Sequence, residues 1–248
     1  MADLAKKGLK DQNGQSLVVR EFQLKDKPEV QRIFYEGLME MVPDTAFRGL
    51  RHHPEILLLY TAITVVCFAT TKCSWLIGLL PAIVVCLRYF YSRCVIHGYL
   101  RQAMSSDMGD IEGHYMKTPG SHIWVAELEG KVVGAVAAFY LSDETVELRR
   151  MCVDRRYRRC GIGVMLGQKV LHFAASHSYS SVVLGTTSYT PATHKLYKRL
   201  GFHCVAVTNG YITPGSTQSF LEQIFYRVRH HYYICNLQHS KVNIDGQH

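Results

Sequence analysis

The sequence predicts an α/β (α+β) fold, a sheet flanked by helices, with a hydrophobic hairpin inserted after the first helix. Three observations support this prediction. Strand-like and helix-like patterns follow one another on both sides of a nearly uncharged stretch. In the second half, a strand leads through a basic, glycine-containing turn into a helix. A chain of 248 residues is long enough for one well-filled core with such an insertion.

The first elements are a strand at Leu17–Phe22 and a helix that begins near Pro28, where a missing N–H costs least. After the insertion, the pattern predicts an amphipathic helix near Val95–Met108 and a β-hairpin that turns at Glu129–Gly130. The remaining predicted strands are Val146–Asp154, Ser180–Thr187, Phe202–Val207 and Phe220–Arg229, and the remaining predicted helices are Gly163–Ser178 and Pro191–Leu200.

Composition narrows the function classes only in part. A net charge of +8 favours anionic partners, which include nucleic acid, anionic lipid and a phosphorylated cofactor. The eight cysteines form no CxxC pair, so we expect thiols in a reducing compartment instead of a disulfide framework or a zinc site. The thirteen histidines include no HExxH motif, and no metal site is predicted.

Residues 56–87 carry a single charge, Lys72. Each half of this stretch is about 16 residues, or about 24 Å as a helix, against about 30 Å of bilayer hydrocarbon. Two thin spans, a re-entrant hairpin and one long tilted span all remain open, and a buried pair of core helices is the alternative without a membrane. Arginines flank the stretch on both sides, which predicts a membrane hairpin with both ends in the cytosol.

These patterns divide the chain into five segments. We expect a flexible N-terminus at 1–16, the first strand and helix of the domain at 17–53, the hydrophobic hairpin at 54–91, the main domain at 92–237 and a flexible tail at 238–248.

The stretch RRYRRCGIG, Arg155–Gly163, admits three interpretations: a nucleic-acid patch, a solvated basic turn, or a cradle for phosphate groups. A helix N-terminus offers unpaired N–H groups and the positive end of the helix dipole, which suit a pyrophosphate. Gly161 and Gly163 would let phosphate oxygens approach those groups. Nucleic acid is disfavoured, because the arginines are confined to one turn without an aromatic platform.

Two motifs resemble those of the GNAT acyltransferase superfamily. Arg158-x-x-Gly161-x-Gly163 is similar to its acetyl-CoA signature, and HKLYKRLGF, His194–Phe202, is similar to its second motif. The resemblance implies the GNAT fold, a mixed and mostly antiparallel sheet flanked by helices. It also implies acetyl-CoA as co-substrate, bound by residues of the strand end and the turn: Met151, Cys152, Val153, Arg158, Arg159, Cys160, Gly161, Ile162 and Gly163.

The resemblance can be narrowed to the aspartate N-acetyltransferase branch of the camello-like family, and it covers about residues 17–237. The stretches that carry it are DTAFRGLRHHPEILLLY, RYFYSRCVIHGYL, DMGDIEGHYMK, VELRRMCVD, VVLGTTSYTPATHKLYKRLGF and YITPGSTQSF. This implies acetyl transfer to a small amino acid, aspartate first, by an enzyme of the endoplasmic reticulum membrane that faces the cytosol. Mitochondrial association is the alternative location. Related members acetylate cysteine S-conjugates or lysine side chains.

The resemblance also implies catalytic residues. A glutamate at the position of Glu147 acts as general base in several members, and strand alternation predicts that it shares a face with Met151 and Val153. Tyr197 is the candidate acid, because a phenol can donate a proton to a thiolate. The alternatives are an ion pair of Glu147 with a neighbouring arginine, and helix packing by Tyr197.

Two carboxylates on an aspartate acceptor call for guanidinium groups. Arg20, Arg149 and Arg150 are the candidates by position and charge. Arg149 stands where the aspartate branch carries an apolar residue, which predicts a change in acceptor choice. That branch also reads R-G-K-G-I-A at the turn, so Arg159 replaces a glycine and Cys160 a lysine. A membrane-tethered module that binds CoA without turnover is the competing function, and the presence of Glu147 and Tyr197 argues against it.

Overall fold

A computed structural model describes residues 9–10, 16–51, 54–72, 75–188, 190–209 and 229–237. Within them, eight strands form one sheet of order β1-β2-β3-β4-β5-β6-β8-β7. The strands are β1 (Leu9–Lys10), β2 (Ser16–Glu21), β3 (His122–Leu128), β4 (Lys131–Ser142), β5 (Thr145–Val153), β6 (Ser181–Thr187), β7 (His203–Asn209) and β8 (Arg229–Asn236). The helices are α1 (Lys27–Met39), α2 (Met41–Arg51), α3 (Pro54–Thr71), α4 (Leu76–Ser105), α5 (Ile162–Ser176) and α6 (Pro191–Arg199).

The sheet is mixed and mostly antiparallel, as predicted. Only β5 and β6 run parallel among the described strand pairs. The β3–β4 hairpin turns at Glu129 (φ 50°) and Gly130 (φ 79°), and two consecutive left-handed residues match the twist of an antiparallel pair. The predicted hairpin position is therefore confirmed.

The parallel pairing of β5 with β6 ends early. It comprises Thr145 with Ser181, Val146 with Val182, and Glu147 with Val183. Beyond Glu147, β5 has no strand partner on this side within the described residues, whereas β6 continues to pair with β8. The two strands diverge from Glu147 onward, and the backbone groups along this edge of β5 are left for another partner.

Two hydrophobic clusters cover the two faces of the sheet. One contains Leu148, Leu166 and Tyr197, and it joins the sheet to α5 and α6. The other contains Ile33 and Ile96, and it joins the opposite face to α1 and the second half of α4. The sheet is therefore buried between helices on both sides.

A β-bulge in β5 changes which side chains share a face. Ala135 pairs with Cys152 and Ala137 pairs with Arg149, so Arg150 and Met151 stand opposite a single residue of β4. Arg150 takes up the distortion with a left-handed φ of 53°. The expectation that Glu147 shares a face with Met151 and Val153 is wrong, because one extra residue reverses the alternation. Phe139, the cross-strand partner of Glu147, packs in the α1/α4 cluster, whereas Met151 and Val153 pack in the α5/α6 cluster.

The hydrophobic insertion is a pair of helices, α3 and α4, that pack against each other. The turn between them includes Lys72, at a left-handed φ of 52°. Residues 56–87 therefore do not form one continuous helix, because this turn separates α3 from α4. The boundary predicted at residue 91 is not a structural break, since α4 runs unbroken from Leu76 to Ser105. Its first half is largely exposed and its second half packs in the α1/α4 cluster, so the helix predicted near Val95–Met108 is the continuation of the insertion.

Some predicted features fall elsewhere. Leu9–Lys10 form the short strand β1 inside the segment expected to be flexible. The last strand was expected at Phe220–Arg229, but apart from Arg229 that range lies outside the described residues, as do the stretch YITPGSTQSF and the tail at 238–248. The described closing strand, β8, begins at Arg229 and ends at Asn236.

Candidate active site

Glu147 lies where the sheet begins to open. It is the last residue of β5 that pairs with β6, so its backbone marks the vertex of the divergence. Its half-buried carboxylate accepts a 2.5 Å hydrogen bond from Arg149 Nε. The ion pair with a neighbouring arginine, which the sequence left as an alternative, is present and orients the Glu147 carboxylate beside the opening.

An aromatic wall stands next to this pair. Phe139 is the cross-strand neighbour of Glu147, and the Arg149 guanidinium lies 4.1 Å from the centre of its ring. His114, from a π-helical turn at Glu112–Met116, stacks on the same phenyl ring at 5.1 Å between ring centres. Arg149 is thus held over an apolar surface while its guanidinium remains partly exposed.

The turn after β5 leads directly into a helix N-terminus. Gly161 precedes α5 with φ 82° and ψ −7°, a left-handed conformation that a side chain would strain. No side chain caps the helix, and the N–H groups of Gly161, Ile162 and Gly163 have no partner among the described residues. Unpaired N–H groups at the positive end of a helix are suited to an anion.

Gly163 also has a packing role that the sequence did not predict. A Cβ at this position would lie 3.1 Å from Leu196 Cδ2 on α6, so the missing side chain allows α5 and α6 to approach closely. Gly163 is therefore a packing glycine, and it holds the α6 motif against the helix that begins at the cradle.

The arginines of the turn have separate contacts. Arg158 donates from Nε to the carbonyl oxygen of Val153 at 3.1 Å and pairs with Glu40 at 2.7 Å. Arg159 is exposed and has a left-handed φ of 69°. Cys160 is also exposed, and its thiol lies 3.7 Å from the Arg158 carbonyl oxygen. The turn is basic, yet Glu40 already neutralises Arg158.

The strand end itself supplies backbone. Met151 and Val153 are partly buried against the α5/α6 cluster, while Cys152 points to the other face. Burial raises the pKa of the Cys152 thiol to about 12, which keeps it protonated at neutral pH. Cys152 thus offers backbone groups and an unreactive side chain.

Tyr197 is buried on α6 and its ring contacts Phe202 and Tyr233. The packing role that the sequence left open is therefore real. Burial raises the pKa of its phenol, so the group is protonated at neutral pH. Its hydroxyl has no hydrogen-bond partner within the described part of the chain, which leaves the proton available to a ligand.

Arg20 and Arg150 are engaged elsewhere. Arg20 donates to Asp26 at 2.6 and 2.9 Å and to Glu127 at 2.6 Å. It lies on β2, which β3 and β4 separate from β5 in the sheet. The structure therefore does not bring Arg20 together with Glu147 and Arg149.

Arg150 forms a buried ion pair. It donates to both oxygens of Asp107, at 2.7 and 2.8 Å, and to the Tyr99 hydroxyl at 2.5 Å. The Tyr115 hydroxyl donates to the same carboxylate. Burial acts to raise the pKa of Asp107, but the bonds from Arg150 and Tyr115 outweigh it and leave that pKa below its usual range.

Comparisons with known proteins agree with this geometry. Residues 88–202 match the family described as "Acetyltransferase (GNAT) family". The human protein named N-acetylaspartate synthetase is 50% identical over 226 residues, which cover 91% of this chain and 75% of that protein. The chain belongs to the GNAT family of acetyltransferases. A mouse protein named N-acetyltransferase 8 is 34% identical over 75% of this chain and 84% of its own length.

The GNAT fold is also found among solved structures. A GNAT-family acetyltransferase from Staphylococcus aureus superposes with a TM-score of 0.51, at 17% identity, over 90% of this chain and all but 1% of that one. This superposition confirms the predicted fold, and the family match and the relatives confirm the enzyme class, an N-acetyltransferase.

Within the GNAT signature, Arg159 adopts a left-handed backbone conformation, with φ 69°, that favours glycine. A left-handed residue costs about 1–2 kcal/mol unless it is glycine, and glycine loses about 0.5–1 kcal/mol through the entropy of the unfolded chain. Arg159→Gly should therefore raise the free energy of unfolding by about 0.5–1 kcal/mol, as measured by denaturant titration in detergent.

Gly161→Ala is the matched control for that measurement. No atom lies within 4 Å of a Cβ at Gly161, so only the left-handed backbone opposes the change. This variant should lose about 1 kcal/mol. A loss of stability in Arg159→Gly would show that the arginine side chain stabilises the turn by more than its backbone costs.

Several residues near this GNAT site were not found from the sequence. Phe139, His114, Tyr99, Asp107 and Tyr115 come from four separate parts of the chain. All but Phe139 lie within two of the stretches that carry the resemblance, RYFYSRCVIHGYL and DMGDIEGHYMK, and this was the available signal for them. No group of three His, Cys, Asp or Glu side chains suited to a metal occurs among the residues that the structure describes.

Proposed function

We propose that this chain is a membrane-anchored enzyme that transfers the acetyl group of acetyl-CoA to the amino group of L-aspartate. The products are N-acetyl-L-aspartate and CoA. The observation that carries the proposal is the 50% identity with human N-acetylaspartate synthetase over 91% of the chain. The geometry of the opening between β5 and β6 supplies the chemistry.

The opening fits a long thiol ester with a pyrophosphate. The unpaired edge of β5 beyond Glu147 offers N–H and C=O groups to the amide-bearing arm of CoA, as a further strand would. The same strand leads to the α5 N-terminus, where the free N–H groups and Arg159 suit the pyrophosphate. Met151 to Val153 and Arg158 to Gly163 therefore lie along one continuous path.

The acceptor must lose a proton before it can react. An ammonium ion has no lone pair, so a base has to remove one proton before the nitrogen attacks the thioester carbonyl. Glu147 lies at the vertex, where the thioester end of that path would lie, and its carboxylate can take this proton. The C–N bond then forms, the nitrogen gives up its second proton to solvent, the C–S bond breaks, and the CoA sulfur leaves as a thiolate.

Tyr197 supports the departing sulfur. The reference pKa of a thiol is about 8.5, well below the raised pKa of this phenol, so complete proton transfer from Tyr197 is uphill. A hydrogen bond from the phenol to the developing thiolate is favourable without full transfer. In this proposal Tyr197 stabilises the leaving group, and water delivers the final proton.

Arg149 is the best receiver for an acceptor carboxylate. Its guanidinium is partly exposed beside Glu147 and is held flat on Phe139. Arg150 is already bonded to both oxygens of Asp107, and Arg20 is bonded to Asp26 and Glu127. A substrate carboxylate that binds Arg149 would also loosen the Arg149–Glu147 pair and release the base.

The exposed hairpin supports membrane anchoring. Among the described helices, Gly78–Ser105 has the length and apolar composition of a membrane-crossing helix, and its protruding part ends at Leu87. Exposed apolar side chains continue along both helices of the hairpin: Leu58, Ile63, Val65, Val66, Phe68, Leu79, Ile83, Val85, Leu87 and Phe90. Burial in a bilayer removes this surface from water. We propose the endoplasmic reticulum, with the catalytic part in the cytosol.

The proposal is tested by offering acetyl-CoA and a panel of amines to the detergent-solubilised full chain and following thiol release. We expect release with L-aspartate that saturates with concentration, and at least tenfold less with L-asparagine, because the amide removes one of the two charges that the acceptor site reads. D-Aspartate serves as the control of equal charge.

Two other outcomes of this assay would change the assignment. Release with an S-benzylcysteine conjugate or an acetylatable lysine peptide, but none with aspartate, would replace the acceptor by that of other camello-like members. Tight CoA binding without release for any amine would point to a silent binding module and end the catalytic assignment.

A further inference from the structure

The point at which the hairpin leaves the catalytic part can be located on α4. From Leu76 to Leu87 the described side chains are mostly exposed and apolar. Arg88 is the first buried residue among the described side chains of the helix, at 1% exposure, and donates from Nε to the Ala46 carbonyl oxygen of α2 at 3.0 Å. The twelve residues before Arg88 rise about 18 Å as a helix. The protruding part of α4 thus ends at Arg88, and the bilayer surface, if the hairpin is inserted, lies there.

Aromatic and basic side chains follow at this level. Tyr89 and Phe90 are both exposed, as expected for rings at the boundary between lipid tails and headgroups. Arg93 is exposed one helical turn beyond Tyr89 on the same face of α4, and it has no ion-pair partner among the described residues. The order along this face is apolar, aromatic and then cationic.

The basic turn of the acetyl-CoA cradle meets α4 at the same level. An open pocket of about 490 Å³ joins Tyr89 of α4 to Arg155 and Arg158 of the turn, with Met39, Glu40 and Pro43 as its other lining residues. The turn is therefore beside the membrane end of the catalytic part, although it is some 65 residues away in the chain.

This pocket has more positive than negative side chains among its lining residues. Glu40 is its one carboxylate among the lining residues, and Arg158 holds it at 2.7 Å. Arg155 is 4.0 Å from the same carboxylate and its side chain is 79% exposed. Arg156, the next residue, is paired with Asp154 at 2.7 Å. The proposed acetyl-CoA site does not use Arg155 or Arg156. Of these two arginines, Arg155 has the charge that is less neutralised by an ion pair.

We propose that Arg93 and Arg155 bind the phosphate groups of anionic phospholipids at the bilayer surface. The inference rests on the membrane association in the proposed function and adds the side of the catalytic part that faces the membrane. A guanidinium at a membrane surface attracts the negative leaflet, and each such residue near the surface contributes about a fivefold preference for anionic lipid. The cradle turn then lies against the headgroups.

In the test, the purified full chain is incubated with two kinds of vesicle together: phosphatidylcholine vesicles, and vesicles with a denser interior solution that contain about 30% phosphatidylglycerol. Flotation separates the two kinds by density, and the amount of protein on each is measured. We expect wild type to favour the anionic vesicles by roughly 25-fold. Arg93→Gln and Arg155→Gln should each reduce that preference about fivefold. Salt at 0.5 M should remove most of the preference, because the electrostatic screening length falls to a few ångströms.

Arg199→Gln is the matched control. Arg199 is exposed on α6, whose neighbours Tyr197 and Leu200 pack on the opposite face of the sheet from α4, so this change should leave the distribution at the wild-type value. All three positions are at the surface, and equal thermal unfolding of the variants checks their folding.

Flotation with phosphatidylcholine vesicles alone distinguishes failure of the headgroup contact from failure of membrane association. Flotation with these neutral vesicles, together with an equal distribution of wild type and variants in the mixture, would overturn the headgroup contact while the hairpin anchor stands. Failure to float with either vesicle would overturn membrane association in the proposed function, and the headgroup contact with it.

Discussion

Glu147→Gln is expected to lower kcat for aspartate acetylation by about 10²–10⁴-fold at neutral pH. Glutamine keeps the size and the hydrogen-bonding oxygen of the side chain but cannot accept the ammonium proton, and positioned general bases contribute this much. Steady-state thiol release checks the value. Glu144→Gln, an exposed glutamate in the turn just before β5, is the matched control and should retain wild-type turnover.

The pH dependence distinguishes a base from a residue that only orients Arg149. If Glu147 removes the proton, the defect of Glu147→Gln shrinks as the pH rises toward the pKa of the substrate ammonium, because free amine is then supplied by solution. If Glu147 only holds Arg149, the defect is independent of pH and Arg149→Met reproduces it. Wild-type kcat in folded Glu147→Gln would remove the residue from the mechanism.

Arg150→Met should lower the free energy of unfolding by about 3–5 kcal/mol. The change leaves the Asp107 carboxylate buried without its cation, and the loss of one partner from a buried pair has this cost. It also removes the bond to Tyr99, through which α4 is tied to the bulge of β5. Denaturant unfolding in detergent measures the difference.

Arg149→Met is the control for that measurement. The two arginines are adjacent in sequence, but Arg149 pairs with the more exposed Glu147, and such pairs contribute about 1 kcal/mol or less. Adding Asp107→Asn to Arg150→Met should recover much of the stability, since no buried charge then remains. A loss in Arg150→Met no greater than in Arg149→Met would contradict the buried-pair account.

Local signals predicted most of the fold. The Glu129–Gly130 turn, the strand at Val146–Asp154 and the helix after Gly161 each follow from residues close together in the chain. Gly161 directly precedes the N-terminus of α5, as the turn pattern predicts, and its role in binding phosphate stays a prediction. The two motifs of the GNAT resemblance added the order of the elements.

Features that depend on distant contacts were not predictable. The bulge at Arg150 is maintained by Asp107 and Tyr99, which are 43 and 51 positions earlier in the chain. Without these partners, simple alternation assigns Glu147 and Met151 to the same face. The engagement of Arg20 by Glu127 has the same origin, because a sequence pattern shows that an arginine is charged but not which carboxylate meets it.

The continuity of α4 was missed for a related reason. Hydropathy changes near residue 91, and a change of composition predicts a boundary between elements. The backbone hydrogen bonds of a helix do not depend on what surrounds it, so one helix passes from an exposed apolar half to a half packed in the core.

The central claim is acetyl transfer to the nitrogen of aspartate, and identification of the product tests it most directly. The full chain is incubated with ¹³C-acetyl-CoA and ¹⁵N-L-aspartate, and the products are resolved by mass spectrometry. The account predicts N-acetyl-L-aspartate that carries both labels, in an amount equal to the CoA released, and its disappearance in Glu147→Gln. Release of CoA matched by labelled acetate instead, with no doubly labelled product, would contradict it.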